Sequence, residues 1–150
     1  MGKKHVATKT KEELLKERDV IEEKTRKEVK IKTSLRMREG RVYISSSYNN
    51  TIVSLTDELG NILCWRSAGS IGFKGTKKGT PFAASKVAEA VAEALKKMSM
   101  EKVQIFVRGI GSGRDSAVRS LAARGVDIAS IKDITPIPHN GCRPRKVRRV

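Results

Sequence analysis

The chain has 150 residues, with 32 Lys and Arg against 16 Asp and Glu, a net charge of +16 at neutral pH. Such an excess destabilises a compact state by self-repulsion, so it implies a polyanionic partner: nucleic acid first, an anionic membrane surface as the rival. No apolar run approaches the roughly 20 residues that span a bilayer, and the first residues hold no apolar signal core, no Ser or Thr at Val6 for myristoylation and too many acids for a transit peptide, so a cytoplasmic protein with no membrane role is expected.

Charge divides the chain into an arm over 1–40 (net +5), a domain over 41–135 (net +6) and a tail over 136–150 that holds five cations and no acid. In the arm, residues 8–31 mix Lys and Glu with a patchy stripe of Leu14, Leu15, Val20 and Ile21. Thr10 and Glu13 have the spacing of a capping box. A short helix is predicted, with little to bury and marginal alone. It reads either as a solvated charged helix or as an arm that orders on a partner.

The domain begins with RVYISSS at 41–47, which alternates with period two as a half-buried strand does. Tyr48-Asn49-Asn50 signals a turn, TIVSLT at 51–56 a second strand, DELGN at 57–61 a hairpin turn, and ILCWRS at 62–67 a third strand. The run from Ala68 to Thr80 has four glycines and three lysines around Phe73 and no core periodicity, so it is predicted as a loop. Thr80 then caps and Pro81 opens a helix to about Met98, with Ala84, Val87, Ala88, Val91, Leu95 and Met98 on one face. KVQIFVR at 102–108 is the fourth strand. Arg114 to Arg124 is a second helix, with Val118, Leu121 and Ala122 inward and Gly125 as its stop. Residues 126–134 complete a fifth strand. The fold class is α/β: a single domain with a mixed five-stranded sheet covered by two main helices, a charged N-terminal arm and a basic extended C-terminal tail.

Three stretches carry candidate chemistry. The first is VRGIGSGR at 107–114, where Gly109, Gly111 and Gly113 join a strand to a helix. Glycines admit a phosphate close to the backbone, and a helix N-terminus offers free N–H groups and partial positive charge. Ser112 adds a hydroxyl and Arg114 a bidentate guanidinium. A dinucleotide fingerprint needs different spacing and a second half-fold, so the open readings are a polynucleotide phosphate contact and a purely structural tight turn. The second stretch runs from Gly72 to Thr80, in which Lys74, Lys77 and Lys78 are mobile charges before a helix start. There Phe73 either stacks a base or plugs the sheet edge. The third is the tail PIPHNGCRPRKVRRV, whose Pro136, Pro138 and Pro144 keep it extended and whose Arg143, Arg145, Lys146, Arg148 and Arg149 each suit a phosphate. Cys64 and Cys142 read as reduced thiols, and His139 with Cys142 is only half a zinc site. No metal, no cofactor and no catalytic group is expected, since no nucleophile, base and orienting group fall together.

Taken together, SYNNTIVSLTD, GFKGTKKGTPFAA, GIGSGRDSAVRSL and TPIPHNGCRPRKVRRV resemble the bacterial form of the small-subunit ribosomal protein eleven family over residues 42–150. The resemblance implies a structural constituent of the ribosome. It implies a place on the platform of the small subunit, on ribosomal RNA, near the path by which messenger RNA leaves, beside the proteins numbered seven, eighteen and twenty-one. No homo-oligomer is expected. The family's RNA contacts map onto Lys74, Lys77, Lys78 and Thr80, onto Gly109, Gly111, Ser112, Gly113 and Arg114, and onto His139, Asn140, Arg143, Arg145, Lys146, Arg148 and Arg149. Asn140-Gly141 is a candidate for isoaspartate, which the family can carry there, because the Gly141 nitrogen can attack the Asn140 side-chain amide. The same pair also suits an ordinary turn. Two departures stand out: Gly79-Thr80 replaces the family's frequent Ser-Thr, and the N-terminal arm is longer and more acidic. The alternative reading is a single-stranded RNA-binding module outside the ribosome. It is disfavoured because the aromatics Tyr43, Tyr48, Trp65, Phe73, Phe82 and Phe106 fall mostly in predicted core segments, and such modules need several exposed ones.

Overall fold

The computed structural model describes residues 15–16, 19–21, 23, 38–143 and 145–147. The expected Thr10–Glu13 capping box lies outside them, as do Pro144, Arg148 and Arg149. The strands are β1 (Glu39–Ser46), β2 (Thr51–Thr56), β3 (Ile62–Ser67), β4 (Lys102–Arg108) and β5 (Asp127–Asp133). They form one mixed sheet in the order β3-β2-β1-β4-β5. The short turns after β1 and β2 make antiparallel pairs. The two helical crossovers that follow make β1–β4 and β4–β5 parallel.

Period-two alternation gives β1, β2, β3 and β4 a buried and an open side, while β5 is exposed but for the half-buried Ile128. Val42, Ile44, Val53, Leu55, Val103, Ile105 and Val107 are at most 5% exposed and form the core face, each such side chain contributing about 1.5–3 kcal/mol through its burial. Two long helices cover that face: α2 (Pro81–Lys97) packs on β2 and β3, α3 (Gly113–Ala123) packs on β1, and the helices pack on each other. The predicted stripe of α2 is buried from Ala84 to Met98. Its alanines let the helices approach closely. Glu89 of α2 also accepts from Arg124 beyond α3 at 2.8 Å and from Lys86 at 3.0 Å. Burial opposes the Glu89 charge, but these bonds outweigh it and hold its carboxyl below the usual range.

Three expectations need correction. Residues 68–80 are not a plain loop: Ala68–Ile71 is a one-turn helix, α1, and Gly75–Gly79 is a 3-10 turn. The Ser67 and Ser70 side chains bond each other's backbone N–H at 3.2 and 3.0 Å, a reciprocal cap at the start of α1. Four residues are too few to display a helical period, so the pattern was invisible. Secondly, Ala122 of α3 is exposed; Ala117 and Leu121 carry the contact, with Val118 partly buried beside them. Thirdly, Phe73 is core, 7% exposed, against the edge of Phe82, which closes the base-stacking reading and leaves the plug. In the arm, the described residues 15–16, 19–21 and 23 are helical, and Ile21 packs against the core.

Candidate nucleic-acid interface

The glycine turn is a packed corner. Gly109 has φ +99°, a region that L side chains rarely adopt, and a Cβ there would lie 2.1 Å from the Ser46 carbonyl oxygen. Gly111 donates its N–H to that same oxygen at 3.0 Å. A Cβ on Gly113 would meet Thr51 Oγ1 at 2.4 Å and the Ala84 methyl at 2.8 Å. So these glycines are required first by the protein, which must bring the start of α3 against the end of β1 and the first turn of α2.

Arg114 and Ser112 also bond inward. The Arg114 guanidinium donates to the Gly109 carbonyl, to Thr135 Oγ1 at 3.3 Å and to Asp133 Oδ2 at 2.7 Å. Thr135 Oγ1 accepts from the Gly109 N–H at 3.1 Å. Arg114 therefore ties the corner to the end of β5, where the tail begins. Its bond, with those of Thr135, holds the Asp133 carboxyl well below the usual carboxylate range. Ser112 leaves α3 without a side-chain cap and donates instead to the Gly79 carbonyl at 2.9 Å.

That last bond joins the corner to the lysine loop. A Cβ on Gly79 would lie 2.3 Å from the Tyr48 carbonyl oxygen, so the β1–β2 turn is a third neighbour. Thr80 caps α2 by accepting from the Ala83 N–H at 3.3 Å, and its hydroxyl donates to the Lys77 carbonyl at 2.8 Å. Lys74 and Lys77 are exposed, and Lys78 is half-buried. The carboxyl ends of β1, β4 and β5 thus share one end of the molecule with the amino ends of α2 and α3. In open α/β sheets that end is where ligands bind, and helix starts favour anions there. No acid lies between Glu58 and Glu89, nor after Asp133. Asp115, in the first turn of α3, and Asp133, held by Arg114, are the local exceptions.

The tail leaves from this end. Ile134 N–H donates to the Val107 carbonyl at 2.9 Å, and beyond Thr135 the described residues are exposed, among them His139, Asn140, Arg143, Arg145 and Lys146. Asn140 is left-handed at φ 53°, as a turn residue is, and Gly141 curls back on Pro138. Cys64 is buried, and desolvation pushes its thiol up; Cys142 is exposed. Among the described residues no cluster of ligands could hold a metal, and no helix is long and apolar enough to cross a membrane.

Sequence reasoning missed the exposed aromatics. Of the six, only Phe73 is buried; Tyr48, Phe82 and Trp65 are 76%, 60% and 57% exposed, and Tyr43 and Phe106 are half-buried. Tyr48 and Phe82 flank the corner, with Lys86 Nζ 5.9 Å from the Phe82 ring centre. Apart from Phe73, the aromatics are therefore not core residues, contrary to expectation. The signal was present in the alternation of the strands, which places Tyr43 and Phe106 opposite the Val and Ile of the core face.

Comparison with known proteins bears on the same segments. The family model described as Ribosomal protein S11 matches residues 40–149. The small ribosomal subunit protein uS11 of Treponema pallidum (strain Nichols) is 54% identical over 112 residues, covering 75% of this chain and 89% of the relative. Those of Thermosipho melanesiensis and Thermosipho africanus are 52% and 53% identical over 125 residues, covering 83% of this chain and 97% of each relative. With the corner, the lysine loop and all but the last residue of the tail inside the matched span, the chain belongs to the ribosomal protein S11 family.

Proposed function

We propose that this chain binds ribosomal RNA on the platform of the small subunit, near the exit path of messenger RNA, through one cationic end and its tail. Family membership makes it a structural, non-catalytic protein of the small ribosomal subunit, a ribonucleoprotein component in translation. The observation that carries the finer reading is the convergence of the lysine loop, two helix starts and the tail at one end. The exposed Lys74, Lys77 and the tail cations contact phosphates, joined by Lys78, His139 and Asn140. Thr80, Gly109, Gly111, Ser112, Gly113 and Arg114 shape the surface that meets the backbone. Specificity comes from the shape of folded RNA, since base-edge readers are few. The proteins numbered seven, eighteen and twenty-one are the proposed neighbours.

Sucrose-gradient fractionation of a cell lysate, followed by detection of this chain, tests the assignment. It is expected in the small-subunit and whole-ribosome fractions; a chain found only among free proteins overturns it.

A further inference from the structure

The sheet face opposite the helices carries a feature that the corner does not use. Alternation along the strands puts Trp65, Ser54, Tyr43, Phe106 and Lys132 on this face. The register aligns them in that order as one row across β3, β2, β1, β4 and β5. Tyr43 and Phe106 lie flat against each other, ring centres 5.0 Å apart and planes 16° from parallel. Between Tyr43 and Trp65 stands only the small Ser54. Two strand spacings separate their backbones, about 9.5 Å, and a flat ring held between two others needs about 7–8 Å. At that backbone spacing the row has room for one ring between Tyr43 and the exposed Trp65.

Cations lie on the Tyr43 side of this gap. Arg41 stands two residues before Tyr43, Arg108 two after Phe106, and Lys132 ends the row. The acids of this face, Glu39 and Asp127, sit at its far end, both opposite Lys102. Aromatic faces set among cations suit single-stranded nucleic acid, because every base has a π-face and every linkage a negative charge. We propose that the Trp65–Tyr43 gap stacks one unpaired base of single-stranded RNA, with Arg41 beside it and Arg108 and Lys132 taking phosphates further along the same strand. This rests on the RNA-binding reading and adds to it a second, base-stacking site on a different surface.

Trp65 is the only tryptophan, so its fluorescence reports the site directly. Titrating the full chain with a short single-stranded oligoadenylate is expected to quench Trp65 to saturation. With a dye-labelled oligoadenylate followed by anisotropy, Trp65→Leu and Tyr43→Leu are each expected to weaken binding about tenfold, with an unchanged salt slope because no charge is removed. Trp65 is exposed, so Trp65→Leu keeps the fold even where Tyr43→Leu does not, and circular dichroism checks both. Oligoadenylate binding that leaves Trp65 unquenched, or equal affinity for Trp65→Leu, overturns the inference and leaves the corner and tail as the RNA site. Quenching by other small-subunit proteins without RNA, and not by oligoadenylate, makes the face a protein interface and overturns it too.

Discussion

At the scale of single residues, Gly109 and Gly60 separate two causes of glycine use. Both have positive φ, +99° and +94°, but nothing lies within 4 Å of a Cβ on Gly60, whereas on Gly109 it strikes backbone. Gly60→Ala is expected to cost about 1 kcal/mol from strain alone. Gly109→Ala adds a clash that cannot relax cheaply and is expected to cost about 3 kcal/mol or more. Urea unfolding of both variants checks the ordering, and equal costs contradict it. Asp133 gives a pH test. Its carboxyl is lowered by Arg114 and Thr135, so the tie contributes fully above the ordinary Asp value near 4 and is lost progressively as pH falls below it. Asp133→Asn is expected to flatten that part of the acid limb in a urea-midpoint profile against pH; an unchanged acid limb contradicts the tie. The glycines were legible as a turn, but neither their spacing nor the adjacent Arg114 could say that the bonds run inward, because the partners Ser46, Asp133 and Thr135 are distant in sequence.

At the scale of elements, β2, β3 and β4 were read to the residue because turn signals or a clean alternation bound them, while β1 begins at Glu39, earlier than expected, and β5 shows no alternation in its burial. The one-turn α1 escaped because its cap is made by two serines in a stretch dominated by glycine. The face of α3 was misjudged at Ala122 because its apolar residues are sparse, and α2 decides which of them it covers. The alanines of α2 are the stronger constraint. Ala88 is fully buried, so Ala88→Leu is expected to overpack the core and cost about 1–3 kcal/mol. Lys97→Leu, at the exposed end of the same helix, is expected to stay within about 0.5 kcal/mol. Thermal or urea unfolding separates them, and a tolerated Ala88→Leu contradicts the close packing.

At the scale of the whole molecule, charge was the most legible property and the use of aromatic residues the least. A net +16 announced a polyanion, and the resemblance supplied its identity. The two sides of the sheet could not be ranked from alternation, since the pattern gives two faces without saying which one the helices cover. Phe73 and Phe82 show the same limit nine residues apart, one in the core and one in solvent. What the fold adds is position: the β1–β2 turn, the lysine loop and the glycine corner, far apart in the chain, meet where the tail departs, which gathers their cations at one end.

The most direct test of that surface is the salt dependence of binding to small-subunit ribosomal RNA, for the full chain and for the chain lacking 143–150. Removing the five tail cations is expected to weaken binding and to make the slope of log K against log salt shallower by about four, at 0.7–0.9 per phosphate contact. An unchanged slope would contradict the account.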